Sequence, residues 1–188
     1  DVEFCEGDSV VLGAGNAGAT YLWNTTETGQ IITVKTTIDA SVEVTDANGC
    51  VGRDTVTVSV NSLPTKTIGV DQAICTGDTV VLDAGNVGAS YLWSDGVTTQ
   101  RDSITVGGTY SVIITNSKGC INSDTIVITE NALPVVALGS DIEFCLGDSA
   151  VIDAGNTGAD FLWNTTAITQ TITVKTTGVY DVRVTNGG

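Results

Sequence analysis

Five cysteines are the residues of this sequence best suited to covalent chemistry, and they are regularly spaced. Cys5, Cys75 and Cys145 follow one another at a constant interval. Cys50 and Cys120 each follow one of the first two at a second, shorter constant interval. Such spacing in small repeated units is typical of the disulfide frameworks of exported proteins. The cysteines therefore predict disulfide formation, and their spacing alone leaves the connectivity open.

Other kinds of reactive site are missing from the sequence. It contains no histidine, which removes the commonest general base and metal ligand. There is no Ser-His-Asp arrangement and no Cys-x-x-Cys zinc spacing. The glycine-rich stretch AGNAG lies between two strand patterns and predicts a β-turn instead of a phosphate-binding loop. We therefore expect a chain that is not an enzyme, with no catalytic residues and no metal ligands.

The charge is strongly acidic, with 22 Asp and Glu residues against seven Lys and Arg residues, for a net charge of −15. A surface of this sign cannot neutralise phosphates, so nucleic acid and anionic membranes are not expected partners. The acidity predicts a solubilising coat, and the alternative is calcium bound by carboxylates between repeats. No apolar run is long enough to span a bilayer, so we expect no membrane insertion in this segment.

The cysteines open a stretch that is written three times. CEGDSVVLGAGNAGATYLW at 5–23 returns in closely similar form at 75–93 and 145–163. A period of about 70 residues indicates a repeat array whose units each own a small core. We expect an excerpt of a longer exported array, with prolines at the two junctions. The predicted domains are repeat 1 at 1–62, truncated at its N-terminal side, repeat 2 at 63–132, and repeat 3 at 133–188, truncated at its C-terminal side.

The elements that position these residues are predicted to be strands. DTVVLDAG at 78–85 and SDTIVITE at 123–130 alternate apolar and polar residues, and Gly, Asn and Asp mark turns between such runs. This pattern predicts an all-β fold, an antiparallel sandwich of about seven strands per repeat, with the recurring tryptophans in its core. Tyr110 and Tyr180 follow Gly-x and predict a tyrosine corner. Ala40 replaces them in repeat 1, which is therefore expected to be less stable.

The combined pattern C-x-G-D-[ST], A-G-N-x-G-A-x-[YF]-L-W, G-x-Y-x-V and N-x-x-G-C resembles one known family. It is similar to the PKD-like and bacterial Ig-like tandem repeats of large Bacteroidetes cell-surface proteins, which include gliding-motility-associated adhesins and type IX secretion substrates. The resemblance implies tandem Ig-like (PKD-like) sandwiches in an extracellular, cell-surface stalk or filament. The implied partners are neighbouring repeats of the same chain and other copies in a filament. The alternatives are a glycan- or surface-binding module and the spacer array of a secreted hydrolase.

An Ig-like strand order bears on which cysteines pair. The early cysteine would precede the second strand at one end of the sandwich, and the late cysteine would lie in the last turn at the other end. A seven-residue strand spans about 23 Å, whereas a disulfide needs Cα atoms within about 7 Å. Pairing within a repeat, Cys5–Cys50 and Cys75–Cys120, is the simplest assignment. Head-to-tail packing slightly favours Cys5–Cys120 across repeats, with Cys75 reaching position 190 of a longer chain.

A second recurring feature is Asp followed by Ser or Thr and then an apolar residue. This triplet resembles the O-glycosylation acceptor motif of the Bacteroidetes. The alternative is that the triplet only marks the start of an edge strand after a turn. The resemblance gives as candidate attachment sites Ser9, Thr55, Thr79, Ser103, Thr125 and Ser149.

Overall fold

The computed structural model describes residues 1–186, and every regular element in that range is a β-strand. None of the described elements is a helix able to cross a membrane. The all-β prediction is therefore confirmed. The strands are β1 Val2–Cys5, β2 Val10–Gly13, β3 Thr20–Trp23, β4 Ile31–Val34, β5 Ile38–Thr45, β6 Val51–Asn61, β7 Gln72–Cys75, β8 Val80–Asp83, β9 Ser90–Trp93, β10 Arg101–Ile104, β11 Gly108–Thr115, β12 Ile121–Asn131, β13 Ala150–Asp153, β14 Asp160–Trp163, β15 Thr171–Val174 and β16 Val182–Thr185.

Repeats 1 and 2 contain six strands each, one fewer than the predicted seven. The segment after Trp23 forms a turn in which the Trp23 N–H donates to the carbonyl of Glu27 at 2.9 Å, and no strand lies between the third and the fourth. The same turn follows Trp93, where the backbone N–H donates to the carbonyl of Val97 at 2.8 Å. This turn leads from the third strand of each repeat directly to the fourth.

The strand order is that of an Ig-like sandwich. In repeat 1, one sheet has the order β1-β6-β5-β3 and the other pairs β2 with β4. The first strand runs parallel to the last, and the remaining neighbours are antiparallel. Repeat 2 has the same order, β7-β12-β11-β9 and β10-β8. In repeat 3, β13 pairs with β15 and β14 with β16, and residues 141–145 form no ladder because no counterpart of β6 or β12 occurs among the described residues.

The chain divides into two compact units. The first contains residues 1–69, 81–102 and 110–126, and the second contains the remaining segments. This division passes through repeat 2, so the boundaries 1–62, 63–132 and 133–188 stay a prediction. Residues 187 and 188 of the predicted third domain lie outside the described range.

Exposed and buried side chains alternate along the strands, and the buried ones form the cores. Trp23 is 4% exposed in the core of the first unit, and Trp163 is 1% exposed in that of the second. Each indole N–H donates to a main-chain carbonyl six residues further along the chain at 2.9 Å. Burying so large an apolar ring while satisfying its single donor stabilises the sandwich. The recurring tryptophans are therefore core residues, as predicted.

Tyrosine hydroxyls hold two kinds of backbone turn. The Tyr180 hydroxyl donates to the Thr176 carbonyl at 2.8 Å, which is the predicted tyrosine corner. A second arrangement was not predicted: the Tyr91 hydroxyl lies 2.6 Å from the carbonyl oxygens of both Gly85 and Asn86. Tyr21 bonds the corresponding turn of repeat 1 in the same way. These tyrosines hold the AGN turns whose side chains contact the linker in repeat 2.

Candidate functional site at the disulfide-linked junction

A disulfide joins Cys5 at the end of β1 to Cys120 just before β12, across 115 residues of sequence. The two Cα atoms are 5.5 Å apart, and Cys120 is fully buried. Both residues lie in the first compact unit. This is the pairing that head-to-tail packing of the repeats favours. It links residues of two successive sequence repeats covalently.

An ion pair flanks the disulfide. Glu3 Oε2 accepts hydrogen bonds from Lys118 Nζ at 2.8 Å and from Asn61 Nδ2 at 3.1 Å. The hydrogen bond from Lys118, followed by that from Asn61, lowers the pKa of the Glu3 carboxyl below its usual value. Both charged side chains are about half exposed, so the pair orients the surfaces more than it stabilises them. Asn61 also lies beneath the disulfide, with its carbonyl oxygen 3.8 Å from Cys120 Sγ.

The turn that carries Cys120 is fixed by one asparagine. Asn116 Oδ1 accepts the backbone N–H groups of Lys118 and Cys120, each at 3.0 Å. The same side chain uses its Nδ2 to donate to the carbonyl of Ser62 at 2.9 Å. Asn116 therefore shapes the turn and ties it to the segment that enters repeat 2. Asp46 occupies the equivalent position of repeat 1, where a carboxylate has no such donor.

The segment between β6 and β7 is held by further side chains of repeat 2. Asn122 Nδ2 donates to the Pro64 carbonyl at 2.9 Å. Asn86 makes two bonds with Thr65, accepting its N–H at 2.9 Å and donating to its carbonyl at 2.7 Å. Each is a bond to a backbone group that would otherwise face water, and each contributes about 1 kcal/mol. The linker is thus secured along its length by side-chain amides.

Apolar burial adds to these hydrogen bonds. Pro64 is buried, and Ile68 is 5% exposed. The N–H of Ile68 donates to Asp124 Oδ2 at 3.1 Å, so burial of this residue leaves its donor satisfied. Fully burying an Ile side chain stabilises by about 2 kcal/mol. The proline junction is therefore packed against repeat 2, and not a free connector.

The corresponding segment of repeat 3 is bound by the same residue types within the second unit. Asn156 Nδ2 donates to the Val135 carbonyl at 2.9 Å, and Asn186 Nδ2 donates to the Ala132 carbonyl at 3.0 Å. Leu138 packs against the core around Trp163. These asparagines were not predicted as site residues. They lie one repeat interval after Asn86 and Asn116, so the sequence shows that the positions are equivalent but not that they bind a linker.

The other three cysteines are free and exposed. Cys50 and Cys75 therefore do not form the alternative pairs Cys5–Cys50 and Cys75–Cys120. The reason is geometric, because Cys50 and Cys120 lie in the turn between the last two strands, at the end opposite to the cysteine of the same repeat. Cys75, expected to pair at position 190, and Cys145 have no partner among the described residues.

The six candidate glycosylation residues share one environment. All six side chains are exposed, and each is followed by a half-buried or buried apolar residue. Their hydroxyls make no hydrogen bond among the described residues. At two of them a carboxylate of the preceding Asp accepts the N–H of the Thr, at 2.8 Å for Thr55 and at 3.0 Å for Thr125. The residues concerned are Ser9, Thr55, Thr79, Ser103, Thr125 and Ser149.

Several acidic side chains accept hydrogen bonds, and the described acidic residues do not gather into a cation site. Among residues 1–186, no group of three or more potential ligands is arranged to hold a metal ion. Asp83 accepts bonds from Gln100 Nε2 and Arg101 Nε, each at 2.8 Å, and from the Gly85 N–H at 2.9 Å. These bonds, with that of Gln100 the strongest influence, lower the pKa of Asp83 to about 2.

Comparisons with known proteins find similar structures but no family. No family model and no curated protein matches the sequence. Sidekick-1 immunoglobulin domains 1–4 align with 99% of this chain and 70% of their own, at 12% identity and a TM-score of 0.38. DIP-gamma IG1+IG2 aligns with 69% and 93%, at 11% identity and 0.37. The Bacteroides ovatus SGBP-B in complex with a mixed-linkage heptasaccharide aligns with 97% and 59%, at 15% identity and 0.28. Because these scores are low, the Ig-like assignment rests on the strand order.

Proposed function

We propose that this chain is a segment of the structural stalk or filament of an extracellular bacterial adhesin, of the kind found on the surface of Bacteroidetes. The observation that supports this most is the Cys5–Cys120 disulfide together with the bound linker. A catalytic or ligand-transporting domain has no need of a covalent bond between successive repeats. An array that carries tension would benefit from one, because the connections between its units bear the full load.

The disulfide changes the path of a pulling force. Tension applied at the two ends of the chain passes directly from Cys5 to Cys120 through the sulfur–sulfur bond. The residues between the two cysteines, 115 positions apart, are then shielded from the load. If the residues between the two cysteines unfold, the disulfide still holds their ends together, so the stalk does not lengthen by the extended length of that segment. Recurrence of the cysteines at the repeat interval would extend this arrangement along a longer array.

Glycosylation is the second part of the proposal. The six acceptor residues are exposed, and their hydroxyls make no hydrogen bond among the described residues, so the fold does not use them. Glycans along the strands would protect an extended surface protein from proteases. The test is mass spectrometry of the peptides that contain the six residues, prepared from the protein purified from its native host. Unmodified masses for all of these peptides would refute this part and leave the mechanical part standing.

Single-molecule pulling between the two termini tests the mechanical role. The span of 115 residues corresponds to about 400 Å of extended chain. We expect the oxidised chain to extend by about that length less than the chain in reductant. Cys120→Ser should give the long extension under both conditions, and Cys50→Ser should behave as the unmodified chain. Equal extension with and without reductant would contradict the proposed load path.

Surface location is tested separately on the bacterium that produces the protein. Antibodies raised against the chain should label intact cells, and external protease should remove the label. Labelling only after cell disruption would contradict an adhesin stalk.

A further inference from the structure

A groove of about 480 Å³ opens on repeat 1, entirely within the first compact unit. It lies between the end of β2 and the first half of β6, over the side chain of Trp23. Its walls combine apolar and polar groups, and those that matter below are Ala14, Asn16, Val44, Gly52, Asp54 and Val56.

The same groove exists in repeat 2, where the linker fills it. Asn86 and Asp124 lie one repeat interval after Asn16 and Asp54 and are their counterparts in repeat 2. Asn86 bonds both backbone groups of Thr65, and Asp124 Oδ2 accepts the Ile68 N–H. The segment from Pro64 to Ile68 is therefore the occupant of this groove in repeat 2.

The groove walls are more deeply buried in repeat 2 than in repeat 1, as expected if the groove is filled in repeat 2 and empty in repeat 1. Ala84 and Ile114 are 0% exposed beside the linker. Their counterparts in repeat 1, Ala14 and Val44, are only half-buried, although both repeats have the same strand order. Val56 is likewise half-buried where its counterpart in repeat 2 is covered.

The polar groups of the repeat 1 groove are set in the same way as those that bind the linker in repeat 2. Asp54 Oδ1 accepts the N–H of Thr55 at 2.8 Å, as Asp124 Oδ1 does from Thr125, and Asp54 Oδ2 has no partner among the described residues. The Asn16 side chain donates to the Ala14 carbonyl at 3.2 Å, and its Oδ1 accepts no hydrogen bond from a described residue. Two acceptors for backbone N–H groups are thus placed over an apolar floor.

We propose that the groove of repeat 1 binds an extended peptide segment of the linker type, with a proline followed four residues later by Ile or Leu. Pro64 and Ile68 show this spacing, and Pro134 and Leu138 repeat it. Asn16 would bind the residue after the proline through both backbone groups, and Asp54 would accept the N–H of the Ile or Leu. This inference concerns recognition at one repeat and does not depend on the mechanical role proposed above.

The first experiment places the occupant in the same chain. A copy of residues 62–70 is joined directly before Asp1, because Asp71 lies one repeat interval after Asp1. We expect amide hydrogen exchange in segments 12–16 and 52–56 to slow at least tenfold. The matched control carries serine at the two positions that copy Pro64 and Ile68, and should exchange as the unextended chain does. Unchanged exchange in the extended chain, or equal protection by the control, would overturn the proposal.

The second experiment uses the chain as it is, with the synthetic peptide of residues 62–70 added in trans. Chemical-shift changes should be confined to the groove, around Gly15, Asn16 and Asp54. Asn16→Asp should weaken these changes, and Asn86→Asp, in the groove that is already filled, should not. Shifts that map to another surface would overturn the assignment. Binding of a mixed-linkage glucan oligosaccharide at the same residues, with no binding of the peptide in either experiment, would replace it by a glycan site.

Discussion

The side chain of Asn86 makes two hydrogen bonds with the backbone of Thr65. It satisfies the N–H and the carbonyl of Thr65 as a neighbouring β-strand would. The Thr65 N–H donates to Asn86 Oδ1 at 2.9 Å, and Asn86 Nδ2 donates to the Thr65 carbonyl at 2.7 Å. Asn86 has φ of 54°, a left-handed conformation that Asn tolerates better than most residues. This turn is held by the Tyr91 hydroxyl, so the linker, the turn and the third strand act as one connected group.

Asn86→Asp removes the donor of this pair and keeps the acceptor. We expect hydrogen exchange of the linker, residues 62–69, to accelerate about tenfold, which corresponds to about 1.4 kcal/mol. Asn16→Asp is the matched control, because Asn16 has the same turn conformation and bonds no linker segment among the described residues. Exchange mass spectrometry of both variants decides the matter. If segment 62–69 exchanges no faster in Asn86→Asp than in Asn16→Asp, Asn86 supports only its own turn.

Tyr91→Phe removes the hydroxyl that two carbonyls share. Loss of these bonds should lower the free energy of unfolding of repeat 2 by about 1–2 kcal/mol, measured by chemical denaturation. Repeat 3 offers the reverse test, because Phe161 naturally occupies the equivalent position. Gly155 and Asn156 have nearly the same φ values as Gly85 and Asn86, so Phe161→Tyr should gain stability. A loss of stability in both variants would show that the ring, and not the hydroxyl, fits each turn.

The fold class and the core tryptophans could be predicted, because period-two alternation and burial of a large ring depend on residues close in sequence. Repeats 1 and 2 have six strands each where about seven were predicted, because residues 24–30 and 94–100 contribute no strand between the third and the fourth. The Ig-like order follows from the parallel pairing of β1 with β6, a contact between distant segments.

The linker site could not be predicted in the same way. Asn16 and Asn86 occupy equal positions in equal turns, and the sequence around them is almost the same. Their roles differ only because a segment 21 residues away lies against one of them. The Cys5–Cys120 bond was accessible to prediction because strand length places the two cysteines of a repeat at opposite ends. Strand length and strand order can therefore predict a disulfide between distant residues. They cannot predict which side chains make hydrogen bonds to a linker.

The acid response of Asp83 should separate the effects of its partners. Its pKa of about 2 lies below the usual 3.8, so its contribution to stability is fully present above pH 3.8 and is lost as the pH falls through about 2. Arg101→Gln should raise the pKa of Asp83 towards that of Asp153, which is lowered by Gln170 and Gly155 without an arginine. Carboxyl NMR titration measures both groups in one sample. An unchanged pKa in Arg101→Gln would assign the shift to Gln100 and the turn alone.

Thiol reactivity distinguishes the two connectivities that the cysteine spacing allows. In the oxidised, folded chain an alkylating reagent should modify Cys50, Cys75 and Cys145, which are exposed, and should spare Cys5 and Cys120. Cys120→Ser should free Cys5 for alkylation and leave the other three unchanged. The chain-entropy treatment of a loop this long predicts a loss of up to about 5 kcal/mol in that variant, because the bond restricts the unfolded chain. A tryptic peptide joining Cys5 to Cys50 under non-reducing conditions would contradict the Cys5–Cys120 disulfide. The repeats would then be connected only by the backbone and its linker contacts.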